Sequence, residues 1–332
     1  MGVTSREIHL VARPRGAPTA ADFELVEREL PEPADGEVLI RNAVLSVDPY
    51  MRGRMNDARS YVPPYALGEP LGGGAVGVVE RSRDPGLAEG TWVVHPYGWR
   101  EWAVVAGRGL RPIDPDAAPP STALGVLGMP GLTAYVGVLD IGAVREGETV
   151  FVSGAAGAVG SAAGQIAKLR GCRVIGCAGS PEKVAWLEEL GFDVAFDYRE
   201  TPVREALADG IDVYFDNVGG PTLEAAIGAL RRNGRIVACG SISGYNATEA
   251  QPGPRNLFMV VTKRLRMQGF IVFDHEERLP AFLAEMGTWL REGAVRYRET
   301  VVDGIENAPA ALIDLLAGGN IGKMLVRVGD GA

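Results

Sequence analysis

Val150-Phe151-Val152-Ser153-Gly154-Ala155-Ala156-Gly157-Ala158-Val159-Gly160 is the stretch whose reading decides the fold. It reads as an apolar strand, a tight glycine turn, and the start of a helix running on through Gln165, Ile166, Ala167 and Leu169. Such a turn aims backbone N–H groups and a helix N-terminus at an anionic pyrophosphate. Gly154, Ala156, Gly157, Ala158, Val159 and Gly160 are therefore expected to contact a dinucleotide. Gly157 allows close backbone approach, and Gly160 lets the helix pack tightly on its strand. Ala155 stands where the usual G-x-G-x-x-G has its first glycine. A glycine turn alone also arises for packing reasons. Here a second strand, over 173–177, follows at the spacing of a βαβ unit, which is the context the motif requires.

The second strand ends in Cys177-Ala178-Gly179-Ser180-Pro181-Glu182-Lys183. An NAD site usually places Asp or Glu there to accept from the ribose 2′-hydroxyl. This strand tip has no acid. Gly179, Ser180 and Lys183 fit a 2′-phosphate instead, so NADPH is the expected cofactor. Ser180 also suits the N-cap of a helix begun by Pro181.

From this unit the reading extends outward. Strands over 149–153, 173–177, 194–197, 211–217 and 235–240 alternate with helices such as 182–190 and 221–230. A sixth strand, 265–273, precedes an amphipathic helix over 276–290. Alternation of this kind predicts a parallel sheet covered on both faces, with right-handed crossovers. The first ~125 residues read differently, as short strands over 7–11, 37–46, 74–80, 91–94 and 101–106 separated by Pro/Gly-rich turns, the pattern of a small barrel. The tail offers a strand over 298–302, a helix over 306–316 and a strand over 323–328. By spacing alone it could join either part.

The chain has 332 residues, 46% of them apolar, and a net charge of −9. That length suits two domains. The negative charge argues against nucleic acid as a partner. No apolar run reaches membrane-spanning length, and the N-terminus has no signal-peptide pattern. Cys172, Cys177 and Cys239 follow no metal-ligand spacing, and free thiols fit a reducing cytoplasm.

Several further stretches carry a family likeness: Val47-Asp48-Pro49-Tyr50-Met51-Arg52, Met129-Pro130-Gly131-Leu132-Thr133-Ala134-Tyr135, Tyr214-Phe215-Asp216-Asn217-Val218-Gly219-Gly220, Cys239-Gly240-Ser241-Ile242-Ser243-Gly244-Tyr245-Asn246 and Gly319-Asn320-Ile321-Gly322-Lys323. The chain resembles the zinc-independent medium-chain dehydrogenase/reductases, in the branch of leukotriene B4 12-hydroxydehydrogenase/prostaglandin reductase, alkenal double-bond reductases and curcumin reductase. The resemblance implies an α/β chain with a GroES-like β-barrel catalytic domain, 1–127 and 297–332, and an inserted Rossmann-type, doubly wound NADPH-binding domain, 128–296. It implies an active site in the cleft between them and a homodimer. Zinc relatives need cysteine and histidine ligands in the first domain. The first 171 residues here hold no cysteine, and Gly68-Glu69-Pro70 replaces their Gly-His-Glu. No metal is expected.

Without a metal, reduction of the C=C bond of an enal or enone needs another group to stabilise the enolate. The cofactor's own ribose 2′-hydroxyl could be one such donor, and Tyr245, beyond the fifth strand, is the first protein candidate, because a phenol stays protonated at neutral pH and can donate. Tyr50 and Arg52 are weaker catalytic candidates, since Asp48-Pro49-Tyr50 also reads as a plain turn. The proton for the α-carbon could come from Tyr245 or water. By resemblance, Thr133, Phe270, Val272 and Asn320 flank the nicotinamide end, Tyr198 lies near the 2′-phosphate, and Asn217, Cys239, Gly240 and Ser241 line the strand exits. Residues 56–69 and 247–256 depart from the branch, which leaves substrate identity open. Quinone reduction on the same fold, and a non-catalytic NADPH-binding protein, are the alternative readings.

Overall fold

β-branched and aromatic residues alternating with polar ones build the N-terminal part of the computed structural model, which describes residues 2–329. β1 (Val3–Leu10) and β2 (Phe23–Leu30) pair antiparallel as a two-stranded sheet. β3 (Glu37–Ser46) leads into the short helix α1 (Tyr50–Arg54). β4 (Ala75–Ser82), β5 (Trp92–His95), β6 (Trp102–Ala106) and β7 (Arg111–Pro112) follow. β3 organises this part. Its first half pairs with β6, and two bulges interrupt its pairing with β4. A bulge bends the strand and raises its twist, which a GroES-like barrel needs.

The chain then changes period. α2 (Met129–Val136) opens the second part, with Pro130 in its first turn. Five βα steps follow: β8 (Thr149–Val152), α3 (Ala158–Leu169), β9 (Arg173–Ala178), α4 (Pro181–Glu189), β10 (Val194–Asp197), α5 (Val203–Ala206), β11 (Ile211–Asp216), α6 (Gly220–Ala229), β12 (Leu230–Ala238) and α7 (Phe258–Lys263). β13 (Arg266–Gly269) and α8 (Leu279–Arg291) complete it. All strand pairings in this six-stranded sheet are parallel, in the order β10-β9-β8-β11-β12-β13. β8 is buried at every residue, and β9 and β11 nearly so, as strands covered on both faces must be. Phe151 stacks between Tyr214 and Phe196 at ring separations of 5.1 and 6.3 Å in the core on one face. The strand order reverses between β8 and β11, where ligands bind in open α/β sheets.

The tail returns to the first part. β14 (Glu299–Asp303) pairs with β15 (Lys323–Arg327), and β15 lies antiparallel beside the end of β3. α9 (Ala308–Ala317) contributes Leu312 and Leu315 to the core holding Leu10, Leu45, Met51 and Trp99. By contact density the chain divides into two units, Met1–Leu124 with Glu299–Ala332, and Gly125–Arg298.

The sequence reading misses β2, α5 and α7. The strand expected over 265–273 ends at Gly269, and Val272 opens a seven-residue 3-10 segment kinked at His275 instead. Apolar side chains continue past Gly269 at Phe270, Ile271, Val272 and Phe273, so the pattern does not mark where hydrogen bonding stops. The strand expected over 235–240 begins earlier, at Leu230, and ends at Ala238. β1 likewise starts four residues before the expected 7–11.

Candidate functional site

In the second unit, β8 delivers Ser153 to a turn whose first residue, Gly154, has φ +57°. That left-handed backbone favours glycine. Gly157 is the N-cap of α3 and brings no side chain to satisfy the first-turn N–H groups. A Cβ on Gly160 would collide with the Gly154 carbonyl and stand 2.8 Å from Ala155 Cα, so helix and strand touch through backbone. Ala156 is buried, while Gly157, Ala158 and Val159 are less so. The geometry leaves a helix N-terminus with uncapped donors at the carboxyl end of the sheet, the arrangement that receives a phosphate.

One strand over, Ser180 caps α4 by accepting from Lys183 N at 3.4 Å. Tyr198 follows β10, its N–H donating to Ala178 O at 3.1 Å. The Tyr198 ring is half exposed, and its hydroxyl would stand 2.8 Å from a Cβ on Gly179. The structure therefore gathers Gly179, Ser180, Lys183 and Tyr198 at one strand tip. Arg199 adds a second cation beside the Tyr198 ring.

At the switch point the organising group is a side chain to which the sequence reading gave no role. Asp216, the last residue of β11, is almost fully buried. Its Oδ1 accepts from Tyr214 Oη at 2.7 Å, Val218 N at 2.9 Å and Gly219 N at 2.7 Å. Burial pushes its carboxyl up, against the downward pull of these donors. Ser153 Oγ lies 2.9 Å from Tyr214 Oη and accepts from Asn217 N at 3.1 Å. Asn217 Nδ2 donates to Ser153 O at 2.8 Å. The Asp216 carbonyl accepts from Cys239 N and Gly240 N, which ties the exit of β12 to that of β11.

Beyond β12 a 3-10 turn, Ile242–Gly244, ends on Tyr245. The Tyr245 ring folds back so that its hydroxyl accepts from Ser241 N at 3.5 Å and hangs over Gly240. Burial raises its pKa above that of an ordinary phenol, so it is protonated at neutral pH. The Cys239 thiol beside it is pushed up to about 12 by burial and is not a nucleophile at neutral pH.

Thr133 is buried in α2 and donates to Met129 O at 2.8 Å. Phe270 packs edge-on to His275 and approaches α2 at Gly137, and Val272 is buried beyond it.

Tyr50, Arg52 and Asn320 belong to the first unit. Tyr50 opens α1, and burial followed by the charge of Asp48 raises its pKa. Arg52 is buried, and its guanidinium donates to Gly16 O, Pro14 O and Asn56 Oδ1. Those bonds fasten the 14–16 segment to α1. The buried Asn320 donates to Gly322 O at 2.7 Å. Beside it Lys323 is buried too. Its Nζ donates to Val47 O at 2.7 Å and Met324 O at 2.9 Å and stands 3.2 Å from Asp48 Oδ1. Lys323 thus joins the Tyr50 segment to the Asn320 segment, a role the sequence reading missed. A lysine amid Met324-Leu325-Val326 was the available signal.

Among the described residues, no group of three or more His, Cys, Asp or Glu is placed to hold a metal ion, and no helix is long and apolar enough to cross a membrane.

Residues 6–113 match the family described as the N-terminal domain of oxidoreductase, and 158–288 match the zinc-binding dehydrogenase family. The NADPH-dependent curcumin reductase of Escherichia coli (strain K12) is 46% identical over 96% of this chain and 95% of its own. The chain belongs to the medium-chain dehydrogenase/reductases. Within them it falls in the group of prostaglandin, alkenal and curcumin reductases. The 2-alkenal reductase (NADP(+)-dependent) of Nicotiana tabacum is 41% identical over 98% of both chains. Among solved structures, CurA in complex with NADPH from Vibrio vulnificus superposes with a TM-score of 0.93 at 46% identity, covering 98% of this chain and all of that one.

Proposed function

We propose that this reductase uses NADPH to reduce the C=C bond of α,β-unsaturated aldehydes and ketones. The observation that carries the reading is the protonated Tyr245 hydroxyl held over Gly240 at the carboxyl end of the parallel sheet. The residues present fit the cofactor. The uncapped N-terminus of α3, reached by a glycine turn, would receive the pyrophosphate. Gly179, Ser180, Lys183 and Tyr198 would hold the 2′-phosphate, and β9 itself ends on Ala178 rather than on an acid. Asn217, Cys239, Gly240 and Ser241 would line its path, and Thr133, Phe270 and Val272 its nicotinamide end. When bound, NADPH supplies the hydride that the β-carbon accepts. Tyr245 donates a hydrogen bond to the carbonyl oxygen as negative charge grows there, and a donor already aimed at that oxygen needs little reorganisation. The relatives named for curcumin and 2-alkenals reduce conjugated carbonyls, which supports this substrate class. A panel of enals, enones, quinones and saturated alcohols, assayed with NADPH and NADH, tests the reading. NADPH oxidation by enals and enones is expected; turnover confined to quinones or alcohols would refute it.

The reading includes a homodimer formed through the outer edge of β13. Beside that edge Phe258 and Phe273 are 72% and 63% exposed, and Met267 and Val261 are exposed as well. An edge strand next to apolar side chains favours a second copy of itself. Light scattering should give twice the chain mass, and Phe258→Asp should halve it. Three free cysteines, two of them fully buried, fit the reducing cytoplasm as its location.

A further inference from the structure

We propose that Asp216 is a positioning residue for both the dinucleotide and Tyr245, acting through the 217–219 turn and the exit of β12. The proposal rests on the reading of the second unit as an NADPH site.

The turn after β11 has almost no apolar anchorage of its own. Gly219 and Gly220 sit at φ +72° and +52°, and the Ser241 Oγ occupies the space a Gly219 Cβ would need. Its conformation is therefore set by polar contacts. The Asp216 carboxylate supplies them from inside, drawing Val218 N and Gly219 N onto one oxygen. Tyr214 Oη donates to that same oxygen and meets Ser153 Oγ, which in turn accepts from Asn217 N. Three donors on a buried oxygen are matched best by an ionised acceptor.

The outer side of this turn carries the next layer. Asn217 O accepts from Ile242 N at 3.2 Å. Val218 O accepts from Ser243 N at 3.1 Å and from Ser243 Oγ at 2.6 Å. These bonds seat the 3-10 turn whose last residue is followed directly by Tyr245. The Asp216 backbone carbonyl meanwhile holds Cys239 N and Gly240 N at 3.0 and 2.9 Å. A continuous hydrogen-bonded path thus runs from the buried carboxylate to the Tyr245 phenol, and a branch of it fixes Asn217. A shift of the turn moves both the surface that faces a dinucleotide and the donor that faces a carbonyl, and misplacement on the ångström scale costs rate steeply.

Asp216→Asn keeps the shape and removes the charge. Its Kd for NADPH, read by quenching of protein fluorescence well below the melting temperature, should rise about tenfold. Its kcat on an enone should fall about tenfold at saturating NADPH, with the enone KM within about twofold of wild type. A residue that merely stabilises the fold would lower the melting temperature and leave both values unchanged. A folded Asp216→Asn with wild-type Kd and kcat overturns the proposal. If that variant does not fold, Ser153→Ala carries the test, because it removes the acceptor of Asn217 N. An NADPH Kd about threefold weaker is expected there, and a wild-type Kd overturns the proposal. Wild-type protein that fails to bind NADPH would sink the site reading itself, before any variant is compared.

Discussion

The proposed function gives Tyr245 and Lys183 separate chemical duties, so their substitutions should fail in different ways. Under the proposed function, Tyr245→Phe removes a donor needed only as charge develops on the substrate oxygen. Its kcat should fall between about tenfold and a hundredfold, since a single oxyanion donor is worth about that much or more. NADPH binding should stay near wild type, which fluorescence titration checks. Lys183→Ala removes a cation from the tip of β9. Its Kd for NADPH should weaken about tenfold while that for NADH changes less than twofold. Equal losses for the two cofactors would dissociate Lys183 from the 2′-phosphate. The absence of an acid at this tip was readable directly, because that requirement is local in sequence. The closeness of Tyr198 was not readable from spacing. It follows from the parallel pairing of β10 with β9, which puts Asp197 opposite Ala178.

At the scale of elements, the Lys323–Asp48 contact ties the end of β3 to the start of β15. Burial pushes the Lys323 ammonium down, and the Asp48 carboxylate opposes that shift. Removing one partner leaves the other buried without its counter-charge. Lys323→Met should therefore cost about 3–5 kcal/mol of stability, seen as a lower midpoint in urea. The double variant Lys323→Met with Asp48→Leu should recover part of that loss, because burying neither charge is cheaper than burying one. Periodicity located β8 to β11 with small errors, since strands covered on both faces are apolar nearly throughout. It missed β2, whose burial pattern is mostly exposed, and α7, a helix of six residues flanked by irregular chain. Short elements with one weak face carry little pattern.

For the whole molecule, buried neutral groups set the response to acid. His95 is buried in β5, and burial lowers its pKa to about 3, while an unfolded histidine titrates near 6.5. The unfolded chain binds a proton in that window that the folded chain does not. Stability from this residue is therefore fully present above about pH 6.5 and is lost as pH falls toward 3. His95→Phe should flatten the dependence of unfolding free energy on pH between about 6.5 and 4, as measured by urea titrations at several pH values. An unchanged slope would locate the acid sensitivity elsewhere.

The sequence by itself determined the two structural classes, the glycine turn, the strand tip without an acid, and the family. Each of these is a local pattern or an ordered motif, and such features survive in one dimension. Only the tertiary structure decided that Asp216, Tyr214 and Ser153 brace three strand exits, that Arg52 spends its donors on the backbone of residues 14–16, and that Lys323 is buried against Asp48. Burial and hydrogen-bond partners depend on residues tens to hundreds of positions apart. A charged side chain looks the same in sequence whether water or the protein interior surrounds it; its duty is set by what the fold brings against it.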